Sequence, residues 1–269
     1  MQSLKLNNKW VLITGASSGL GYEMAGQLAY RHKANLILVA RRKERLEELK
    51  NKLEKEAGIQ AKTFAIDLSK ADDAEQMIDE VLASTDLYGA ILNAGVTYFG
   101  RNTEISAEQF QAILQTNVVS TVRMTNRLVA HFEKTKKEGG LMLVSSMAAL
   151  FPVPFQAAYS ASKAFVLSYG NALSAELKNP NFSITVFAPG GIATEMTEGK
   201  AFHGLKKWLM PVAEAAKEGI YGFVHRKNIY VPGFANKLGS IFMKFLPPGF
   251  ILKKMGGIYE KALLESERK

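Results

Sequence analysis

Short apolar runs rich in β-branched residues alternate with longer amphipathic stretches through the first 92 residues, and this alternation restricts the chain to one fold class. Lys9–Thr14 (KWVLIT), Ala34–Ala40 (ANLILVA), Ala61–Ile66 and Leu87–Leu92 read as buried strands. Between them the stretch beginning after Gly21, Lys43–Ala57 and Ala71–Ser84 read as helices. Strands joined through helices cannot pair as hairpins, so the expectation is a parallel sheet covered on both faces. Further on, a long helix is expected over Ser106–Lys134, a strand at Leu141–Val144 and a helix over Tyr159–Lys178. A strand at Ser183–Ala188, a helix near Val212–His225 and a last strand at Ile229–Val231 complete the pattern.

The absence of cysteine from the 269 residues excludes disulfides and thiol catalysis and fits a reducing compartment. Met1–Asn8 is polar, so no signal peptide is expected, and no run of eighteen apolar residues suggests a spanning helix. The expected location is cytoplasmic. Of the net charge of +9, residues 200–269 supply most, with 13 Lys/Arg against 5 Glu. These basic residues are scattered among apolar ones without a recognised motif, so no nucleic-acid partner is expected.

The chemistry-bearing residues gather where strands end. After the first strand, Gly15-Ala-Ser-Ser-Gly19-Leu-Gly21 permits a tight turn and close approach of a pyrophosphate to a helix N-terminus. Ser17, Ser18 and Leu20 belong to that cofactor loop. The second strand ends at Ala40 without a carboxylate, followed by Arg41 and Arg42, which favours the 2′-phosphate of NADP over the hydroxyl of NAD. The competing reading has both arginines, Arg42 above all, starting the charged helix on its solvent face. Asp67-Leu68 and Asn93-Ala94-Gly95 follow the third and fourth strands, the former suited to an adenine amino group. Asn117 sits inside a helical stretch, where its side chain competes for backbone groups and so implies a tertiary role. Ser146 ends the next strand; thirteen residues later Tyr159 opens a helix, with Lys163 one turn along on the same face. An ammonium there would stabilise the tyrosinate. Pro189, Gly190, Ile192 and Thr194 follow the sixth strand. No metal-ligating cluster is evident.

Taken together, TGASSGLG (Thr14–Gly21), Asp67-Leu68, NAG (Asn93–Gly95), Asn117, Ser146, Tyr159-Ser-Ala-Ser-Lys163 and PGGIAT (Pro189–Thr194) closely resemble the short-chain dehydrogenase/reductase family. The resemblance covers about residues 8–232. It implies a Rossmann-like doubly wound α/β sheet of about seven strands in the order 3-2-1-4-5-6-7. It also implies an NADP(H)-dependent oxidoreductase interconverting a carbonyl and a secondary alcohol. In that reading Tyr159 is the general acid or base, and Lys163 lowers its pKa and holds the nicotinamide ribose. Ser146, rather than Ser145, orients the substrate carbonyl; Asn117 positions a relay water; Thr194 meets the nicotinamide carboxamide. Because Ser18 stands where NADP-preferring members often carry a basic residue, Arg41 must supply more of the selectivity. The alternative is an NADP-sensing protein without turnover; an isomerase or dehydratase of the extended family is disfavoured by glycine spacing and length. Family members imply a homodimer or homotetramer through the helices at Ser106–Lys134 and Tyr159–Lys178.

The expected division is residues 1–233 as the dinucleotide-binding domain, with a substrate loop at about 194–211, and 234–269 as a helical extension. Leu238, Ile241, Phe242, Phe245 and Leu246 form an apolar stripe at helical spacing, Pro247-Pro248-Gly249 breaks it, and Ile251, Leu252, Met255, Tyr259, Ala262 and Leu263 form a second. The first expectation is that both stripes pack on the domain and wall an apolar substrate pocket. Dimer contact comes second, and peripheral membrane contact through residues 236–256 third. Phe151, Val153, Phe155, Phe202 and Trp208 are pocket candidates by position.

Overall fold

The computed structural model describes residues 1–198 and 209–267. Its centre is one seven-stranded sheet ordered β3-β2-β1-β4-β5-β6-β7, with every neighbouring pair parallel. The strands are β1 Trp10–Thr14, β2 Asn35–Ala40, β3 Ala61–Ala65, β4 Leu87–Leu92, β5 Gly139–Val144, β6 Phe182–Phe187 and β7 Ile229–Tyr230. Helices α1 Gly19–His32, α2 Lys43–Ala57 and α3 Ala71–Ser84 connect the first four.

The strands read as unbroken apolar runs because each face has its own core. Val11 and Ile13 of β1, Leu36 and Leu38 of β2, and Met142 of β5 pack with α1, α2 and the later helix α7 (Val212–Val224). Their neighbours Leu12, Ile37, Val39, Leu141 and Leu143 point the other way, towards α3 and the helices α5 (Ser120–Thr135) and α6 (Ala157–Glu176).

The stretch expected to be one helix is two. Ser106 caps α4 (Ala107–Ile113) in a capping box with Gln109, and α5 follows only after a π-helical turn at Leu114–Val119. That turn, which admits one extra residue into the helical ladder, carries Asn117 and buries it to 1 % exposure. Beyond β7 the chain forms α8 (Phe234–Phe242), a short 3-10 turn at Met243–Phe245, and α9 (Pro248–Glu267). Proline suits the first turn of α9, where no intrahelical N–H is required.

Because all seven strands run the same way, the segments after β1, β4, β5 and β6 emerge on one edge of the sheet. Chain order reverses on either side of β1, leaving a crevice beside its carboxyl end.

Candidate active site

The glycine loop is shaped first by its own packing. Thr14 Oγ1 accepts hydrogen bonds from the Asn93 and Ala94 amides (2.9 and 3.0 Å), and Asn93 Nδ2 donates to the Thr14 carbonyl (3.0 Å). A Cβ on Gly21 would stand 2.4 Å from the Gly15 carbonyl oxygen and 2.7 Å from Asn93 Nδ2. Gly21 is therefore required for packing. Gly19, with φ 54°, lies against the Thr194 side chain, which closes over the loop. Ser18 precedes α1 but makes no side-chain cap, so its hydroxyl leaves the first-turn amides of α1 open to the crevice. No acidic residue stands in that turn, and this uncapped donor set fits a pyrophosphate.

Arg42 does not point to solvent with the charged face of α2. Its Nε donates to Ser17 Oγ (3.1 Å), one terminal nitrogen to Ser18 Oγ (2.5 Å) and the other to Glu195 (3.1 Å). It places a guanidinium beside Ser18, where the loop itself lacks a basic residue. Arg41 is exposed and acts electrostatically on Asp67, whose carboxyl is held below its usual range first by the Ser69 amide.

At the far end of the crevice the first turn of α6 is anchored on several sides. Ser160 Oγ accepts from the Val153 amide (3.1 Å), Ser162 Oγ donates to the Tyr159 carbonyl (2.7 Å), and Ser145 Oγ donates to the Lys163 carbonyl (2.7 Å). Ser145 thus serves the scaffold. Ser146 is the serine whose hydroxyl acts on the Tyr159 phenol; it accepts from the Ala148 amide (3.1 Å) and donates to the Pro189 carbonyl (3.5 Å). Burial pushes the Tyr159 phenol up, the Ser146 bond opposes this, and the nearby Tyr259 adds to the rise. Lys163 Nζ donates to the Val144 carbonyl (2.9 Å) and lies 5.9 Å from the Tyr159 ring centroid. Burial lowers the Lys163 ammonium to about 8.

One cavity of about 930 Å³ joins the two ends. It is lined by Gly15, Ser17, Ser18, Gly19, Leu20, Arg41, Arg42, Asp67, Leu68, Asn93, Ala94, Gly95, Ser146, Tyr159, Lys163, Pro189, Gly190, Ile192 and Thr194. Two expected site residues stay outside. Gly21 lies beneath the loop. Asn117 spends its amide on the scaffold, accepting from the Val96 amide (2.9 Å) and donating to the Val96 carbonyl (2.9 Å) and Ser162 Oγ (3.0 Å). Phe151 and Val153 line the cavity but Phe155 does not; it takes a positive φ of 64° and its carbonyl accepts from the Gly100 amide. Phe202 and Trp208, with much of the expected substrate loop, lie outside the described residues.

The sequence reading missed part of the far wall. Gln156, Thr97, Met147 and Leu209 line it, as do Asn236 and Met243 from α8 and the turn after it. Met255, Ile258 and Tyr259 of α9 close it, and the Tyr259 ring meets Phe99 edge-on at 5.7 Å. Met255 and Tyr259 belonged to the second apolar stripe, so that signal was present for α9. The stripe of α8 does not pack on the domain: Leu238, Phe242, Phe245 and Leu246 are exposed.

Residues 9–202 match the family model described as short chain dehydrogenase. The chain is 33% identical over 197 residues to human 17-beta-hydroxysteroid dehydrogenase type 3, covering 72% of this chain and 63% of that protein. It is 35% identical over 193 residues to the very-long-chain 3-oxoacyl-CoA reductase of Neurospora crassa, covering 70% of this chain and 58% of that one. The matched stretch thus spans less than two thirds of either relative. Among solved structures, a short-chain dehydrogenase from Sphingobium yanoikuyae in complex with NADPH superposes with a TM-score of 0.80 at 26% identity, covering 88% of this chain and 93% of that one.

Proposed function

The chain belongs to the short-chain dehydrogenase family, and from that premise we propose that it interconverts a lipophilic carbonyl compound and its secondary alcohol with NADP(H). The observation that carries this reading is the continuous cavity between the uncapped start of α1 and the Ser146–Tyr159 pair, with Lys163 on its wall. When bound, the nicotinamide supplies or accepts the hydride. The first-turn amides of α1 with Gly19 and Leu20 would hold the pyrophosphate, and Asp67 and Leu68 the adenine. Arg41 and Arg42, with no carboxylate at the end of β2, support NADP over NAD.

In reduction the Tyr159 hydroxyl delivers a proton to the carbonyl oxygen while Ser146 donates a hydrogen bond to the same atom. The resulting tyrosinate is stabilised by the Lys163 ammonium, which is protonated at neutral pH. In oxidation the same groups work in reverse. Phe151, Val153, Met243, Met255 and Ile258 give the substrate end an apolar lining, which supports a lipophilic substrate. The printed names of the two relatives, one a hydroxysteroid and one a very-long-chain oxoacyl enzyme, point the same way. Phe110 of α4 and Phe165 of α6 are exposed and support homodimer or homotetramer assembly through that side.

The test is NADPH oxidation against ketones and β-ketoacyl thioesters of graded apolarity. Turnover should rise with apolarity. Tyr159→Phe should lower it by at least about a hundredfold while NADPH still binds. Near-normal turnover in the variant removes Tyr159 from the chemistry. Tight NADPH binding without turnover on any substrate overturns the enzyme reading in favour of a sensor.

A further inference from the structure

Helix α8 is turned the opposite way from an ordinary amphipathic surface helix. Its uncharged polar residues face the protein: Ser240 is 6 % exposed, and Asn236 lines the cavity next to Gly190. Three of its large apolar residues, Phe234, Leu238 and Phe242, face outwards. Phe234, Leu238, Phe242 and Phe245 recur at i, i+4, i+8 and i+11, one face of the helix and the turn after it, and are 83, 43, 63 and 82 % exposed. The start of α9 adds Phe250 and Leu252, both more than 40 % exposed. So many large apolar side chains on one surface mark an interaction site.

The charge beside them is of one sign. From Phe234 to Ile258 the chain carries four lysines and no Asp or Glu. Lys237, Lys253 and Lys254 are exposed, and the Lys254 ammonium lies 6.0 Å from the Phe250 ring centroid. We propose that the α8–α9 hairpin docks on an anionic lipid bilayer, its phenylalanines entering the interface and its lysines meeting the lipid phosphates. No helix among the described residues is long and apolar enough to cross a membrane, so the contact is peripheral. A second copy of the chain fits this face less well. Two-fold apposition would bring Lys237, Lys253 and Lys254 of both copies together, with Glu260 the nearest carboxylate along the chain.

The same hairpin contributes Met243, Met255, Ile258 and Tyr259 to the cavity wall. Docking therefore places the substrate end against the bilayer, and an apolar ketone dissolved there enters without crossing water. This last clause rests on the proposed carbonyl chemistry; the docking does not.

The experiment is sedimentation of the full chain with phosphatidylglycerol or phosphatidylcholine vesicles at low salt. The protein should pellet with the first and stay in solution with the second. Lys253→Glu with Lys254→Glu, and separately Phe242→Ser with Phe245→Ser, should each weaken partitioning at least about tenfold. None of these four residues lines the cavity, so both variants should keep the parent's melting temperature and its NADPH fluorescence titration. A protein that stays in solution with phosphatidylglycerol overturns the proposal. So does a phenylalanine variant that still pellets, or one that converts a dimer to a monomer in sedimentation equilibrium. The NADPH titration needs no vesicles, so the failure of docking and the failure of the carbonyl reading are told apart.

Discussion

Lys163 is a cation held where solvation is poorest. Its one hydrogen bond to the Val144 carbonyl does not compensate, and burial lowers its pKa from 10.5 to about 8. The unfolded chain therefore binds the proton more tightly than the folded one. The resulting destabilisation is full below about pH 8 and is relieved as pH rises from there towards 10.5. A difference of this size is on the order of 3 kcal/mol. Lys163→Met removes the charge but leaves the Val144 carbonyl unpaired, at roughly 1–3 kcal/mol. The expected net effect is a gain of up to about 2 kcal/mol at neutral pH, or up to about 8 °C in melting temperature, with turnover lost. Scanning calorimetry at pH 7 and pH 10 checks this, because the gain should disappear in alkali; a gain independent of pH would place its origin elsewhere. Arg41 offers a second test. Arg41→Asp should move the ratio of kcat/KM for NADPH over NADH at least about tenfold towards NADH, and an unchanged ratio would take Arg41 out of the 2′-phosphate site. At this scale the Tyr159–Lys163 pair and Ser146 were legible because their geometry is local. Asn93 and Asn117 were read as ligand or catalytic groups. Their amides also close contacts across 79 and 21 residues of chain, which no local spacing encodes.

Among the elements, the π turn at Leu114–Val119 carries the most consequence. It turns Asn117 inwards to tie the segment after β4 to the first turns of α6. Asn117→Ala would leave the Val96 amide and carbonyl without those partners. The expected loss is about 2–4 kcal/mol, or a fall of about 4–16 °C in melting temperature, measurable by calorimetry without substrate. A melting temperature within a degree or so of the parent would mean that water replaces the amide fully. Most element bounds fell within two residues of the sequence reading, because buried parallel strands and capped helices carry strong local signals. The break between α4 and α5 did not show, since an α and a π turn share the same apolar spacing over a few residues. Periodicity announced α8 as amphipathic but could not say which side meets the protein. In the fold Asn236 reaches the cavity beside Gly190, and Ser240 is buried with its hydroxyl donating to the Lys237 carbonyl of its own helix.

Across the whole molecule, one sheet edge collects the loop after β1, the Asn93 turn, the Ser146 strand end and the Pro189 segment into one crevice. The strand order came from family resemblance, since alternation of strand and helix implies a parallel sheet but leaves its order open. That order also governs how the chain can be assembled. No two neighbouring strands form a hairpin, and the central pairing of β1 with β4 joins Trp10 to Leu87. At about 5–20 residues per second, a ribosome needs roughly 5–20 s to make the first 92 residues, β4 last among them. Throughout that interval β1 keeps one edge unpaired, with Val11, Leu12 and Ile13 beside it. Such an edge invites pairing with other chains, so a newly made copy of this protein depends on protection from its neighbours until β4 arrives.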